Sequence, residues 1–210
     1  MAGDLGVIIL AGGTGRRMGP NKPLLEIGGR SMLGRAVATA LTVSTDVVVV
    51  AGSSEQGMAY KTEISEQVVL VHDKIQGRGP LIGLYSGLEC LASRYVAVLP
   101  CDSPFVRKEV ILYLYETASG ADAAVPAWPD GKIEPLHSVF HVDSAKSAAV
   151  ETMKAEMDTI REMIQQMNIV RFVPIESIKP LDPRLLTFFN VNTVEDLNKA
   201  REIWSTGSSR

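Results

Sequence analysis

The chain has 210 residues, of which 46% are hydrophobic, 21% charged and 6% aromatic, with a formal net charge of −3. A chain of this length buries roughly 70% of its unfolded surface and needs no disulfide or metal staple, and its composition is that of an ordinary soluble α/β protein. The slight negative charge excludes a general nucleic-acid or anionic-membrane binder, so an anionic ligand has to be met by a local site.

The opening "MAGDLGVIILAGG" has no basic n-region, and its apolar run is too short for a secretory h-region or a membrane span. A cytoplasmic protein with no membrane partner is expected, as monomer or weak homo-oligomer. Cys90 and Cys101 form no C-x-x-C and read as free thiols. Strands are expected at "VIIL" (7–10), "DVVVVAG" (46–52), "VVLVH" (68–72) and "YVAVLPCD" (95–102). Each is apolar on consecutive positions, the pattern of parallel strands buried on both faces. Residues 31–43, 80–93 and 105–119 carry apolar residues at helical spacing. That β-α-β-α order predicts an α/β fold with a Rossmann-like, doubly wound, mostly parallel sheet, helices on both faces and right-handed crossovers.

The second half is less regular. Strands are expected at 123–128 and 137–142 around the turn "PDGK" (129–132), a helical stretch over 147–167 as one helix or two, and a strand at 168–175. A closing helix spans 193–204, where Thr193 and Asp196 fit a capping box. Residues 205–210 read as a frayed tail. With no internal repeat or linker, residues 1–204 are expected to form one domain.

The first strand runs into "ILAGGTGRRMGPNK". Gly12, Gly13 and Gly15 lie beyond its carboxyl end, where ligands of such sheets bind, and glycine lets main-chain amides approach a phosphate without a Cβ between. Arg16, Arg17 and Lys22 add positive charge, arginine as a fork and lysine as a point charge. The dinucleotide fingerprint fails, because Met18 stands where the third glycine belongs and "AGSS" ends the second strand without a ribose-binding acid. The Walker A loop fails too, with Lys22 three residues past Gly19 and Pro23 in place of a hydroxyl residue. What remains is a phosphate-binding loop of another kind.

Asp102 ends the fourth strand and suits a magnesium ion, which takes few protein ligands and keeps its waters. Capping the following helix is the competing reading. Asp73, ending the third strand, is a second carboxylate at that edge, equally well read as a turn-initiating acid.

The stretch "LAGGTGRRMGPNKPLLEIGGRSML" resembles the L-A-G-G-x-x-x-R-M-G-x-x-K signature of nucleotidyltransferases with the nucleoside-triphosphate-transferase fold. "GPLIGL" (79–84), "PCDSPF" (100–105), "EPLHSVF" (134–140) and "FFNVNTVEDL" (188–197) resemble one branch, the molybdenum cofactor guanylyltransferases, in the family's order from residue 7 to 202. The asparagine that some members carry at the end of the second strand is replaced here by "VVVVAGSS", and residues 143–180 match no family pattern. The resemblance implies that Leu10, Ala11, Gly12 and Gly13 hold the nucleotide and that Arg17 and Lys22 hold its phosphates. It implies magnesium on Asp102, guanine nucleotide at Asp73, and His137, Asn190 and Asn192 near the acceptor.

His137 and His141 share a face if both lie in one strand, but two histidines without a third ligand do not make a zinc site. His141 reads as a solvent-side residue and His72 as part of the sheet edge. Asn190 and Asn192, on alternate positions, point to one side of an extended segment, with turn chemistry before Thr193 as the competing reading. Met153, Met157, Met163 and Met167 fit a packed helical stripe. The resemblance implies transfer of GMP from GTP to the phosphate of a molybdopterin-type acceptor, with release of pyrophosphate. The alternatives are an adenosylcobinamide-phosphate guanylyltransferase, a molybdopterin cytidylyltransferase, or a GTP-binding module without turnover.

Overall fold

The computed structural model describes residues 4–12, 21–72 and 79–207. Its elements are, in chain order, β1 (Leu5–Leu10), β2 (Glu26–Ile27), β3 (Arg30–Ser31), α1 (Met32–Leu41), β4 (Val47–Ala51), α2 (Ser54–Tyr60), β5 (Val69–His72) and α3 (Pro80–Leu88). There follow β6 (Tyr95–Pro100), α4 (Lys108–Ala118), β7 (Ala123–Ala127), β8 (Val139–His141), α5 (Val142–Lys154), α6 (Ile160–Gln165), β9 (Val170–Pro174), α7 (Ile175–Ile178) and α8 (Val194–Ser205). Seven strands make one sheet in the order β5-β4-β1-β6-β8-β7-β9. Only β8 runs antiparallel, to both β6 and β7.

The apolar runs form strands because both faces of the sheet are covered. Val7, Ile9, Val47, Val49, Ala97 and Leu99 pack into one layer with α1 and α4; Ile8, Val48, Val50, Val96 and Val98 pack into the other with α3, α5 and α6. The expected doubly wound, mostly parallel sheet is what forms. Strand β5 differs from its expected two-sided burial: it is the outermost strand, with Val69 46% exposed and His72 exposed beside it.

Several boundaries shift for local reasons. Helix α3 stops at Leu88 and α4 starts at Lys108, inside the expected ranges. The stretch over 147–167 is two helices and starts earlier, at Val142, where the His141 ring caps α5 by accepting from the Ser144 amide at 3.4 Å. The break between them carries Glu156 at φ 59°, and Thr159 then opens α6 with a capping box to Glu162. Met163 is fully buried, with Met153 and Met167 packed beside it. His137 lies in a 3-10 turn, Pro135–His137, outside the strand expected for it. Among the described residues no helix is long and apolar enough to cross a membrane, and both cysteines are free.

A third apolar cluster docks the closing helix. Ile27 of β2 and Met32 at the start of α1 meet Val191, Leu197, Ala200 and Ile203, with Phe105 in the same cluster. Helix α8 begins with the expected capping box: the Thr193 hydroxyl accepts from the Asp196 amide, and the Asp196 carboxylate accepts from the Asn192 and Thr193 amides, each at 2.9 Å. Its far end brings Trp204 under the Arg35 guanidinium, 3.8 Å from the ring centroid. Gly28 has φ +58°, and a Cβ there would strike the Trp204 indole, so the hairpin turn needs glycine on both counts. This docking carries residues 190–192 back to the carboxyl ends of β1 and β6.

Candidate active site

The chain winds from β1 to β4 and β5 on one side, then returns to β6 on the other. The β1/β6 pair is therefore the topological switch point, where a crevice opens beyond the strand ends. The Ala11 amide donates to Val50 O at 2.8 Å and the Cys101 amide to Leu10 O at 3.1 Å, so the ladders run past both strands. Leu10 and Ala11 thus lie one strand away from Cys101 and Asp102.

The first residues of the glycine loop are held by packing. The buried Tyr60 hydroxyl donates to Ala11 O at 3.0 Å, and burial pushes its phenol above the ordinary range. A Cβ on Gly12 would lie 3.0 Å from Gly52 N and 3.1 Å from Gly52 Cα, both main-chain atoms. The close approach of the β4–α2 connection crowds any Cβ at position 12 and so favours glycine there, apart from anything a ligand needs. Gly13, Arg17 and Asp73 lie outside the described residues, as do Gly15 and Arg16.

Past the loop, Lys22 reaches across the mouth of the sheet. Its Nζ donates to Asp102 Oδ2 at 2.6 Å and to Asn192 Oδ1 at 3.1 Å. The Lys22 and Asp102 side chains are 17% and 23% exposed, a charge pair at the rim of the core with access to solvent. The structure thus joins three of the expected site residues through one ammonium group. Asp102 does not cap the next helix: Arg107 occupies the N-cap of α4, without a side-chain hydrogen bond. The Asp102 carbonyl instead accepts from the Val191 amide at 2.9 Å, tying the acid to the segment that carries both asparagines. The preceding Cys101 is buried, and burial, then the negative charge of Asp102, pushes its thiol up to about 12. It stays protonated and is no nucleophile at neutral pH.

Behind the acid lies a buried polar row. The Ser103 hydroxyl donates to Asn190 Oδ1 at 2.5 Å, and His137 Nε2 sits 3.0 Å from the same hydroxyl oxygen. His137 is 4% exposed and lies edge-on to Phe188, with ring centroids 5.2 Å apart. Burial pushes its pKa down to about 4, so the imidazole is neutral at physiological pH. It is buried beside Ser103. His141 is also not a free surface residue: it is half-buried, caps α5 and meets the Tyr95 ring edge-on at 5.3 Å. The two histidines occupy different elements and share no site. Among the described residues no group of three or more His, Cys, Asp or Glu is placed to hold a metal.

Asp102 nevertheless fits a magnesium ion. Magnesium prefers hard oxygen donors, binds through one or two carboxylates, and completes its shell with water and substrate phosphates. One partly exposed carboxylate at the end of β6 supplies such a donor. Tyr60, Gly52 and Ser103 are structural neighbours of the candidate site that pattern reading misses. Only Ser103 carried a signal, by following the acid in "PCDSPF".

Comparison with known proteins identifies the family. The chain is 33% identical over 195 residues, spanning 90% of this chain and 87% of the relative, to a Methanosarcina mazei protein named "Probable molybdenum cofactor guanylyltransferase". It is 31% identical over 209 residues, 95% of this chain and 96% of the relative, to the "Molybdenum cofactor guanylyltransferase" of Desulfosudis oleivorans. The crystal structure of molybdopterin-guanine dinucleotide biosynthesis protein A from Archaeoglobus fulgidus matches with a TM-score of 0.80 and 25% identity, over 96% of this chain and 99% of that one. Residues 7–170 match the model of the MobA-like NTP transferase domain, which takes in the glycine loop, Lys22 and Asp102. The chain belongs to the MobA-like NTP transferase family and is a nucleotidyltransferase.

Proposed function

We propose that this nucleotidyltransferase moves GMP from GTP to the terminal phosphate of molybdopterin, releasing pyrophosphate, as a magnesium-dependent step of molybdenum cofactor biosynthesis. The observation that carries the reading is the meeting of Lys22, Asp102 and Asn192 at the switch point, from segments 80 and 170 residues apart. The names of the relatives in Methanosarcina mazei and Desulfosudis oleivorans supply the guanine base and the acceptor. The reading carries with it one catalytic domain over residues 1–204, a cytoplasmic location, and a monomer or weak homo-oligomer.

The acceptor phosphate is an anion near neutral pH, so it needs alignment more than a general base. Its oxygen attacks the α-phosphorus in line. The new P–O bond forms as the bond to the α–β bridging oxygen breaks, and that electron pair leaves on pyrophosphate. Loop amides from Gly12 onward serve the polyphosphate, the Ala11 amide being committed to Val50 O, and Arg17 and Lys22 stabilise the departing charge. Asp102 is the residue to hold magnesium, whose chemistry is to neutralise charge at the α-phosphate. Asp73 contacts the nucleotide, and Asn190 and Asn192 border the acceptor.

The test is to incubate the protein with Mg²⁺, GTP and molybdopterin, follow pyrophosphate and detect the dinucleotide by mass. CTP in place of GTP, and adenosylcobinamide phosphate in place of molybdopterin, run in parallel. Formation of molybdopterin–guanine dinucleotide above all other pairs is the expected result. Pyrophosphate from another pair only, or GTP binding without turnover, refutes the assignment. Lys22→Ala and Asp102→Ala are each expected to lower kcat at least ~100-fold, the effect of losing one charge stabiliser.

A further inference from the structure

We propose that Ser103 and His137 are positioning residues that fix which end of the Asn190 carboxamide faces the crevice. The inference rests on the reading above, in which Asn190 borders the acceptor, and adds how that amide is aimed.

A carboxamide is ambiguous on its own: one end donates, the other accepts, and rotation about its last bond exchanges them. At the edge of a phosphate site the difference matters, because only the NH2 end attracts an anion. Asn190 is half-buried, so neither solvent nor packing alone settles its direction. Ser103 does. Its hydroxyl is 1% exposed, 2.5 Å from Asn190 Oδ1 and 3.0 Å from His137 Nε2.

One hydroxyl proton cannot serve both neighbours, so two arrangements are self-consistent. In one, Ser103 donates to Asn190 Oδ1 and His137 Nε2–H donates to Ser103 Oγ. In the other, Ser103 donates to His137 Nε2, and a reversed Asn190 donates its NH2 to Ser103. The distances choose between them. At 2.5 Å the Ser103–Asn190 contact lies within the O–H···O range and below the N–H···O range, while 3.0 Å is ordinary for N–H···O. The distances fit the first arrangement, in which histidine donates to serine, serine donates to asparagine, and the asparagine NH2 remains to be used outward. Among the described residues nothing accepts from that NH2.

The other ring nitrogen, His137 Nδ1, is buried without a hydrogen bond of good geometry, and the ring lies close to the Thr187 main chain, so the position of the ring proton is what a nitrogen spectrum decides. The resemblance places His137 near the acceptor; in the proposed relay it acts there through two other side chains.

The test uses the full chain with GTP and molybdopterin. Ser103→Ala is expected to raise KM for molybdopterin about tenfold, the effect of one lost hydrogen bond, with kcat and the Kd for GTP within about twofold. In an Asn190→Ala background the same change is expected to add nothing, since the relay then has nothing to aim. His137→Leu is expected to behave as Ser103→Ala, and His137→Gln, which keeps a donor near the Nε2 position, to recover most of the affinity. Long-range ¹H–¹⁵N spectra of the wild-type chain are expected to show the proton of His137 on Nε2. Additivity of Ser103→Ala with Asn190→Ala, equal weakening of both substrates, or a proton on Nδ1 overturns the proposal. If the wild-type chain transfers no GMP, the functional reading fails; the histidine tautomer, read without turnover, still decides the relay.

Discussion

Gly12→Ala separates two reasons for one glycine. The added Cβ would sit 3.0 Å from Gly52 N and 3.1 Å from Gly52 Cα, with Ala51 C at 3.6 Å. Comfortable contacts of carbon with such atoms begin near ~3.5 Å, so the shortfall is roughly half an ångström against backbone on the facing side. The end of β1 cannot easily retreat. Ala11 N is bonded to Val50 O at 2.8 Å, and Ala11 O accepts from the buried Tyr60 hydroxyl at 3.0 Å, so moving residue 12 strains one or both. Overpacking of this kind costs about 1–3 kcal/mol, which for a chain of this size lowers Tm by roughly 3–10 °C. Melting followed by circular dichroism, with and without GTP, separates the causes. Packing predicts a lower Tm without nucleotide; a glycine needed only for phosphate approach predicts an unchanged Tm and a weaker Kd for GTP. A nucleotide-free Tm within about 1 °C of wild type refutes the packing argument.

The remaining predictions concern stability and its pH dependence. Burial holds His137 at about 4 in the folded chain against an ordinary 6.5, so the unfolded chain takes up the proton first as pH falls. Stability from this group is full above about pH 6.5 and is lost between there and about 4, on the order of 3 kcal/mol in all; His137→Gln flattens that limb of a urea-midpoint profile, and parallel profiles refute the account. Asp122 accepts from the Ser144 hydroxyl at 2.6 Å and from the Ile169 and Asn168 amides at 2.9 and 3.0 Å, which together hold its pKa below the ordinary 3.8. Its contribution is present above that value and disappears as pH falls through the lowered one. Asp122→Asn is therefore less stable than wild type at pH 7 and converges with it in strong acid; thermal melts at both ends check this. Trp204→Ala removes the ring stacked on Arg35 and covering Gly28, at a cost of about 1–2 kcal/mol in the urea midpoint, and an unchanged midpoint shows that α8 docks without it.

How much of the fold could be read in advance depended on whether a feature is local. Strands β1, β4 and β6 are continuous apolar runs because both faces are covered, and that pattern is visible in "VIIL", "VVVV" and "YVAVL". "VVLVH" looks the same but forms the edge strand β5, since sheet order is set by crossovers and not by the residues of one strand. Helix α2 was invisible: seven residues, three of them polar and with Gly57 inside, give too little periodicity. Its purpose is carried by one residue, Tyr60, whose hydroxyl reaches Ala11. The β2–β3 hairpin did carry a signal in its Gly-Gly turn, but two-residue strands offer no alternation to read.

The site divides in the same way. Asp102 was recognisable because it follows a strand end, Lys22 because it closes the glycine-rich motif, and each has a charge the proposed chemistry needs. Their contact was not, because it requires the glycine loop to return and β6 to lie beside β1. Asn192 joins them only through the docking of α8 by Val191, Leu197, Ala200 and Ile203, a purely tertiary event. The contact has a physical logic that neither residue shows alone. On the proposed function, a carboxylate that holds a divalent cation and an ammonium that holds a phosphate are both costly to half-bury unless paired. Set 2.6 Å apart, they satisfy each other while the chain folds. A metal–polyphosphate pair can then enter with little net electrostatic cost, since it brings the opposite charge to each. Arginine at position 22 would demand a planar, two-toothed partner and would grip Asp102 more tightly; the point charge of lysine is the one that can change partners within a single crevice.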